Sequence, residues 1–300
     1  MEEKIEILSV SLLDRNRECV KELKRLAASL GLEFGWHYLL DLTWILSHAG
    51  PVSGKTVLDA GAGTGILQWY LAERGARVLS VDRGSRYSLP LRFRIRFKVH
   101  GLREKDLRPL RKIIGRRREN KPGFARWVMV GARDLGKAGA SGMLNSRKTG
   151  NGEVIIYNQD LGQMVDIPSN SIDLIAAVSS LEHNRPEDLG SVVAELMRVL
   201  KPGGVLLATL AAAPDRDWFH EPSRGWCYTE ASLRKIFELP ENALSNYADY
   251  DLLFGSLRKC DALRNNLASF YSASGDNGMP WGRWDPKYQP VGVVKVKRNA

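Results

Sequence analysis

The chain has 300 residues, 44% of them hydrophobic and 26% charged, which allows a buried core and is ordinary for a soluble globular protein. No run approaches the roughly 18 to 20 apolar residues that a membrane-spanning helix needs. The acidic start at residues 1–4 lacks the basic-then-apolar order of a secretion signal. Cys19, Cys227 and Cys260 give neither a metal-ligand pattern nor a disulfide framework. We therefore expect a cytoplasmic protein with no transmembrane segment and no metal site.

The positive charge is concentrated in one segment. The formal net charge is +10, but residues 83–150 hold 20 Lys and Arg against 4 Asp and Glu, which leaves 24 against 30 for the rest of the chain. The sequence therefore predicts a mildly acidic protein with one strongly basic insertion.

Apolar periodicity predicts an alternation of strands and helices that is interrupted once. The predicted elements are helices at 12–30 and 36–47, strand 56–60, helix 65–73 and strand 77–82, then, about seventy residues later, strands at 153–157, 172–178, 204–211 and 290–296 with helices at 186–200, 232–237 and 257–271. This alternation favours an α/β fold, in which helices cover both faces of a doubly wound, Rossmann-like, mostly parallel sheet of seven strands.

A glycine-rich turn follows the first predicted strand. Gly61, Gly63 and Gly65 leave little side-chain bulk, so a ligand can approach the backbone N–H groups at the start of the next helix. Asp59 stands directly before the turn, and an acid there suits a ligand with an ammonium group better than a pyrophosphate. Asp82, 23 residues later, ends the second strand, where a carboxylate can accept both ribose hydroxyls. The pattern predicts a nucleoside ligand at this edge of the sheet.

Several motifs in this order resemble those of the class I S-adenosylmethionine-dependent methyltransferases, of the type 11-like kind. The first two are 57–65 and 81–82; the later ones are 159–161, 166–168 with 171–175, 179–183 and the turn 200–204. The resemblance covers roughly residues 50–85 and 153–212. Their shared order is more specific than any single motif, and it implies S-adenosyl-L-methionine as the cofactor.

The resemblance also implies which residues hold the donor. Asp160 is expected to face the adenine amino group, with Leu161 beside the ring, and Ser179 is expected near the methionine end. Tyr38, with Trp36 and His37, is expected to close over the donor or else to pack as an aromatic cluster. The predicted cofactor-binding residues are Asp59, Gly61, Ala62, Gly63, Gly65, Asp82, Asp160, Leu161, Ser179 and Tyr38.

Catalysis of methyl transfer requires alignment of acceptor and donor, and a base only when the acceptor carries a proton to be removed. Glu182 and His183, just past the fourth strand, and His220, after the fifth, are the candidate catalytic residues, each with simple packing or capping as its alternative. His183 is the favoured base or acceptor-positioning group. The tryptophans of the C-terminal third are predicted either to line an acceptor pocket or to pack a cap; they are Trp218, Trp226, Trp281 and Trp284.

The basic insertion has three open interpretations. Residues 91–99 alternate apolar and basic side chains, which predicts a half-buried strand with a cationic face. A second basic cluster at 110–118 and a flexible loop at 136–152 follow. The insertion is either a solvated excursion packed on the sheet, a docking surface for an anionic partner (a nucleotide-sugar, a lipid-linked phosphate at a membrane surface or a protein), or a nucleic-acid-binding arm. Nucleic acid is the least favoured, because residues 179–182 lack the motifs of amino-methylating and cytosine-methylating enzymes.

These observations predict N-terminal helices at 1–50 and a methyltransferase domain at 51–300, with the basic insertion at 85–152 and a C-terminal substrate or cap region at 212–290. The predicted function is methylation of a small or carrier-linked acceptor, such as a saccharide or another polar metabolite. The alternatives are an RNA methyltransferase that uses the insertion as its binding arm, and a non-catalytic cofactor-binding partner protein.

Overall fold

The structure, a computed structural model, describes residues 2–110 and 151–298. The basic cluster predicted at 110–118 and the loop predicted at 136–152 therefore lie outside the described residues, apart from their end positions. The strands are β1 (Lys4–Ile7), β2 (Thr56–Ala60), β3 (Arg77–Asp82), β4 (Val99–Gly101), β5 (Glu153–Asn158), β6 (Ile172–Val178), β7 (Leu200–Ala212), β8 (Trp218–His220), β9 (Gly225–Tyr228), β10 (Leu244–Ser245) and β11 (Gln289–Val296). The α-helices are α1 (Ser11–Arg15), α2 (Arg17–Leu30), α3 (Tyr38–Ala49), α4 (Leu67–Glu73), α5 (Leu91–Arg96), α6 (Pro186–Val199), α7 (Glu230–Ile236), α8 (Tyr250–Arg258) and α9 (Asp261–Arg264).

The strands of the described ranges form a single mixed sheet of eleven strands. Its main path runs β10, β1, β11, β7, β6, β2, β3, β5, β4, and the β8–β9 hairpin joins it alongside β7. The central strands are parallel, whereas β11 is antiparallel to both of its neighbours. The predicted Rossmann-like, mostly parallel fold is confirmed, but the prediction of seven strands is wrong.

Short strands account for the difference in number. Strands β1, β4, β8, β9 and β10 have between two and four residues, and a strand of that length shows no readable periodicity. The N-terminal strand β1 buries Ile5 and Ile7 and lies between β11 and β10. The N-terminal region therefore contributes a strand to the sheet as well as helices.

The segment predicted as a strand at 91–99 is instead helix α5, followed by the short strand β4. Phe93 and Phe97 are four residues apart, so a helix turns both rings to one side, where they contact Trp69 of α4 at ring-centroid distances of 4.7 and 4.9 Å. Ile95 is left 65% exposed. Packing of Phe93 and Phe97 against Trp69 therefore favours a helix here, although the alternation of apolar and basic side chains predicted a strand.

Two predicted helices have different boundaries. The helix predicted at 12–30 is divided into α1 and α2 at Asn16, whose backbone (φ −117°, ψ 37°) is not helical and whose side chain donates to Leu12 O at 2.9 Å. The prediction of a long helix at 257–271 is wrong. Helix α8 begins earlier, at Tyr250, and buries Tyr250 and Leu257 two turns apart. Only the short α9 and single 3₁₀ turns follow it before β11.

Helices cover both faces of the sheet and bury a hydrophobic layer on each. On one face α2, α3, α4 and α5 pack around Trp44, Trp69 and Phe93. On the other face α6, α7 and α8 pack around Leu196, Phe237 and the sheet. Both faces of the central strands are therefore buried, as in parallel sheets of this kind.

The order of the strands places a crevice at one edge of the sheet. The chain adds β3 on one side of β2 and later adds β6 on the other side, so it leaves β2 toward β3 and leaves β6 toward β7, in opposite directions along the sheet. Ligands of open α/β sheets bind at such a reversal of strand order. Residues 61–65 follow β2 and residues 179–183 follow β6, which brings the motifs predicted for the donor to this crevice.

Candidate functional site

A cavity of about 670 Å³ opens at the carboxyl ends of β2, β3, β5, β6 and β7. Residues 32–38 and 270–278 lie across it from the sheet. Twelve of the predicted site residues line it: Asp59, Gly61, Ala62, Gly63, Gly65, Asp82, Asp160, Leu161, Ser179, Tyr38, Glu182 and His183. His220 does not line the cavity, although it is buried beside it and accepts or donates a hydrogen bond at Nδ1 with the lining residue Ser223 (2.7 Å).

The glycine turn has a backbone that side chains would disrupt. Gly61 has φ +74° and Gly63 has φ +47°, both in the left-handed region. A Cβ at Gly61 would overlap the side chain of Ser180, which itself donates to Ala60 O at 2.7 Å. The turn is tied to the end of β3, because the N–H groups of Gly61 and Ala62 both donate to Val81 O. This close packing explains the requirement for glycine after β2.

Asp59 is the last buried acid before the turn and is 3% exposed. One of its carboxylate oxygens has no hydrogen-bond partner. The pKa of Asp59 is raised to about 7, chiefly by burial; the charge of Arg86 and a hydrogen bond with the Gln68 backbone oppose this rise, and the charge of Asp82 adds to it. A buried, unpartnered carboxylate oxygen beside the cavity fits an ammonium group, because a charged hydrogen-bond donor would compensate for its desolvation.

Asp82 faces the same cavity from the end of β3. Its Oδ2 accepts from Gly63 N at 2.8 Å and its Oδ1 accepts from Gly84 N at 2.6 Å. These two backbone bonds orient the carboxylate and still leave a lone pair on each oxygen. The arrangement can accept two neighbouring hydroxyl groups, as a ribose provides.

The remaining residues predicted to bind the donor also line this cavity. Asp160 is exposed and its Oδ1 accepts from Gly162 N at 2.8 Å, while Leu161 is half-buried at the cavity wall. Ser179 has φ +44°, which is uncommon for a residue with a side chain, and its N–H donates to Thr209 O at 3.0 Å. The sheet thus holds Ser179 in a strained conformation at the cavity wall.

Glu182 is the most deeply buried acid on the other side of the cavity. It is 4% exposed, one carboxylate oxygen accepts from the Ser179 hydroxyl, and the other has no partner. Burial raises the pKa of Glu182, and His183 partly opposes that effect. Tyr38 lies nearby, and its pKa is raised by burial and by the charge of Glu182. These groups surround the junction between the donor side and the rest of the cavity.

The two predicted histidines have different surroundings. His183 is exposed, and its Nδ1 contacts Arg224 O at 2.9 Å. His220 is 6% exposed, and burial lowers its pKa, as does the charge of Lys287. Neither histidine is as closely surrounded by cavity-lining groups as Glu182.

A hydrogen-bonded chain that the sequence analysis did not assign lies on the same side. His37 Nδ1 contacts Asp41 Oδ2 at 2.5 Å, and His37 Nε2 contacts the hydroxyl of Tyr288 at 3.2 Å. All three are nearly inaccessible to solvent, and His37 and Tyr288 line the cavity. The i,i+4 spacing of His37 and Asp41 on α3 was visible in the sequence, but the contact with Tyr288 joins positions 251 residues apart.

Six aromatic residues form part of the cavity wall, and none of them is one of the four tryptophans considered in the sequence analysis. They are Phe34, Trp36, Tyr38, Phe270, Tyr271 and Tyr288. The backbone N–H of Trp36 donates to the Tyr271 hydroxyl at 3.0 Å, which joins the two segments that lie across the cavity. Trp218, Trp226, Trp281 and Trp284 were predicted either to line a pocket or to pack a cap, and none of them is among the described residues that line this cavity. Trp281 is 72% exposed, and the other three pack outside the cavity wall.

The described part of the basic insertion uses many of its cationic side chains internally. Arg96 binds Glu73 (2.6 Å), Lys98 binds Glu153 (2.7 Å) and Arg103 binds Asp106 (2.9 Å). Arg86 is buried beneath the glycine turn. The described part of the insertion joins the sheet through β4 and packs on α4 through α5, and the docking and nucleic-acid interpretations stay predictions.

No helix in residues 2–110 or 151–298 is long and apolar enough to cross a membrane. The same residues contain no group of three or more His, Cys, Asp or Glu side chains arranged to hold a metal ion.

Comparison with known proteins identifies related sequences. The family profile described as a methyltransferase domain matches residues 136–208. A ubiquinone biosynthesis O-methyltransferase of Acinetobacter baylyi is 56% identical over 45 residues, which are 15% of this chain and 19% of that protein. A cypemycin N-terminal methyltransferase of a Streptomyces species is 52% identical over 50 residues, 17% of this chain and 20% of that protein. The chain thus matches about a fifth of the length of these curated relatives, and the methyltransferase resemblance is confirmed.

Solved structures of low sequence identity are also similar. The 1,6-didemethyltoxoflavin-N1-methyltransferase of Burkholderia thailandensis has a TM-score of 0.42 at 13% identity, over 97% of this chain and 85% of that one. A geranyl diphosphate methyltransferase has a TM-score of 0.42 at 16% identity, over 85% of this chain and 76% of that one.

Proposed function

We propose that this chain, which carries a methyltransferase domain of the S-adenosylmethionine-dependent class, transfers a methyl group to a small acceptor without phosphate or carboxylate groups. One observation carries the proposal: a single cavity joins the predicted donor residues to an aromatic chamber. Among the described residues that line this cavity, Arg83 is the only Lys or Arg, and it adjoins Asp82 on the donor side. The chamber therefore offers an anionic acceptor no cationic partner within the described chain.

The donor half of the cavity suits S-adenosylmethionine on three counts. The unpartnered oxygen of Asp59 matches the methionine ammonium, the oriented carboxylate of Asp82 matches the ribose hydroxyls, and Asp160 matches the adenine amino group. When bound, S-adenosylmethionine supplies an electrophilic methyl group on its sulfonium. The protein then needs to hold the acceptor in line with that group, and alignment of this kind accounts for much of the rate of a displacement reaction.

The acceptor half suits a planar molecule that is neutral or carries an amine. Aromatic side chains provide apolar contact area, and Ser223 and Asn277 provide hydrogen-bonding groups at the wall. Glu182 is the group that we propose to position the acceptor and to take its proton, because it is buried at the junction of the two halves with a raised pKa. The names of the relatives include both an O-methyltransferase and an N-terminal methyltransferase, so they do not select the acceptor atom.

Calorimetric titration with S-adenosylhomocysteine tests the donor site. Wild-type protein is expected to bind, and Asp82→Ala is expected to bind at least about tenfold more weakly, because two hydroxyl groups lose their acceptor. Asp14→Ala is the matched control, since Asp14 is exposed on α1 and distant in sequence from every donor motif. The donor assignment fails if wild type does not bind or if Asp82→Ala binds as tightly as wild type.

Transfer of a labelled methyl group tests the acceptor class. The enzyme and labelled donor are incubated with a cell extract, which is then separated into small molecules, lipid and RNA. We expect the label in the small-molecule fraction and in neutral or basic compounds within it. Label in RNA would instead support the RNA methyltransferase alternative, and donor binding without transfer into any fraction would support the non-catalytic alternative.

A further inference from the structure

Arg86 is a buried cation beneath the donor site, although it belongs to the basic segment. Its side chain is 5% exposed. All five guanidinium N–H groups have acceptors: Nε donates to Asn158 Oδ1 (3.2 Å), Nη1 to the Ser80 hydroxyl and to Gly63 O (3.5 Å), and Nη2 to Ser80 O and Tyr157 O (2.8 Å each). Each of these acceptors is an uncharged group.

The same contacts reach the glycine turn through a second residue. Ser80, which accepts from Arg86, donates through its hydroxyl to Gln68 Oε1 at 2.8 Å. Gln68 Nε2 in turn donates to the carbonyl oxygens of Ala62, Gly63 and Gly65, at 3.4, 3.3 and 3.0 Å. Arg86 and Gln68 therefore hold the carbonyl side of the turn from within the protein, opposite the groups that face the cavity.

The charge of Arg86 is balanced at a distance rather than by contact. Within the described residues no carboxylate lies within ion-pair distance of it. The acids that act on it electrostatically are Asp82, Asp59 and Asp106, and Asp106 already binds Arg103. Asp59 in turn is influenced by two charged groups, Arg86 and Asp82, which act in opposite directions. Burial of a cation that no acid contacts costs desolvation free energy. The presence of Arg86 near two donor-site acids therefore requires an explanation.

We propose that Arg86 is the positioning residue of the donor site: its guanidinium fixes the carbonyl side of the glycine turn, and its positive charge favours the anionic form of Asp59. The donor's ammonium group then meets a carboxylate more often than it would without Arg86. The inference rests on the proposed function, because it assigns Arg86 a role toward S-adenosylmethionine. The inference also separates Arg86 from the rest of the basic segment at 83–150. Arg86, the first buried residue of that segment, serves the cofactor rather than an external anionic partner.

The affinity for S-adenosylhomocysteine, measured by calorimetry from pH 5.5 to 9, separates the charge from the hydrogen bonds. Arg86→Lys keeps the charge and loses most hydrogen bonds, so we expect about three- to tenfold weaker binding at every pH with the wild-type pH midpoint. Arg86→Gln keeps an amide donor and loses the charge, so we expect the midpoint, near pH 7 in wild type, to move up by about one unit. Arg77→Gln, at the opposite end of β3 and exposed, is the matched control and should follow wild type.

Several outcomes overturn the inference. It fails if Lys and Gln at position 86 displace the midpoint equally, because a purely structural role makes no distinction of charge. It also fails if wild-type affinity does not change near pH 7. If wild type does not bind at any pH, the proposed function itself fails; if wild type binds, Asp59→Asn weakens binding and the Arg86 variants leave the midpoint unmoved, only this inference fails.

A variant that does not fold is also informative. If Arg86→Gln unfolds, the double variant Asp59→Asn with Arg86→Gln is compared with it by thermal denaturation. Asp59→Asn should raise the stability more in the Arg86→Gln background than in the wild-type background, because the buried Asp59 carboxylate has lost its counter-charge there. A gain that is no larger than in the wild-type background overturns the role of counter-charge.

Discussion

The two halves of the cavity are assembled from the chain in different ways. The donor half is built at the carboxyl ends of parallel strands, where Asp59 lies near the end of β2, Asp82 ends β3 and Ser179 follows β6. The acceptor half is built from residues 34–38 at the start of α3, from residues 222–225 and 270–278, and from Tyr288, which are far apart in sequence.

This difference determines which substitutions each half of the cavity tolerates. Backbone geometry fixes the donor half, with left-handed glycines and N–H groups that orient Asp82. Packing of aromatic side chains shapes the acceptor half, and packed regions tolerate replacement by other side chains of similar volume. We therefore expect small changes near the glycine turn to abolish donor binding, and changes in the chamber to alter transfer while donor binding persists.

The largest effect is expected at the glycine turn. Gly61→Val places a branched side chain at φ +74° and against Ser180, so S-adenosylhomocysteine affinity should fall by more than about a hundredfold. Gly190→Val on α6 is the matched control, because nothing lies within 4 Å of a Cβ built there. Calorimetry measures both variants. Retention of wild-type affinity by Gly61→Val would contradict the claim that backbone geometry fixes the donor half.

Glu182→Gln should separate the two halves. Labelled-methyl transfer is expected to fall by about a hundredfold, because the proposed proton acceptor is removed. The affinity for S-adenosylhomocysteine should change by no more than about threefold, since the donor contacts lie on the other side of Ser179. Glu187→Gln, on the exposed face of α6, is the control. Equal losses of transfer and of donor affinity would show that the halves are not independent.

Asp59→Asn is expected to weaken donor binding and to stabilise the unliganded protein. Loss of a charged hydrogen bond to the ammonium group should cost about ten- to a hundredfold in affinity at pH 8. In wild type, affinity should decrease as the pH falls below about 7, because the pKa of Asp59 is raised to about 7 and protonation removes its charge.

The effect of Asp59 on stability has the opposite sign. Its pKa is raised from 3.8 in the folded state, so the folded protein binds the proton more tightly and wild-type stability declines as the pH rises from about 4 to about 7. Asparagine removes this decline. At pH 8 the unliganded variant should therefore gain up to about 4 kcal/mol in unfolding free energy. Urea denaturation at pH 5 and pH 8 measures it; an equal difference between the proteins at both pH values would refute the burial of an ionisable Asp59.

The donor half was accessible to sequence analysis because local patterns determine it. The strands at 56–60 and 77–82 were predicted with their observed ends, and the glycine turn between them fixed where Asp59 and Asp82 would lie. A buried arginine, by contrast, looks in a sequence like a solvated one, so Arg86 was counted with the basic insertion.

The acceptor half was less accessible because tertiary contacts determine it. The contact between His37 and Tyr288 joins residues that are 251 positions apart, and no local sequence pattern predicts it. The alternation at 91–99 is compatible with a strand until Trp69 is known to pack against Phe93. The tryptophans of the C-terminal third were equally suited to a pocket or to a cap, and composition alone could not choose between them.

The smallest effects should come from two tryptophans that differ in their position relative to the cavity. Trp36 lines the cavity, is 4% exposed and contacts the rings of His37 and Tyr288, so Trp36→Phe should reduce labelled-methyl transfer by about three- to tenfold with little change in donor affinity. Trp281 is 72% exposed, so Trp281→Phe should leave transfer within about twofold of wild type. Both are conservative aromatic replacements and differ mainly in location. A larger loss from Trp281→Phe than from Trp36→Phe would move the acceptor chamber to the C-terminal segment and would break the division of the cavity described above.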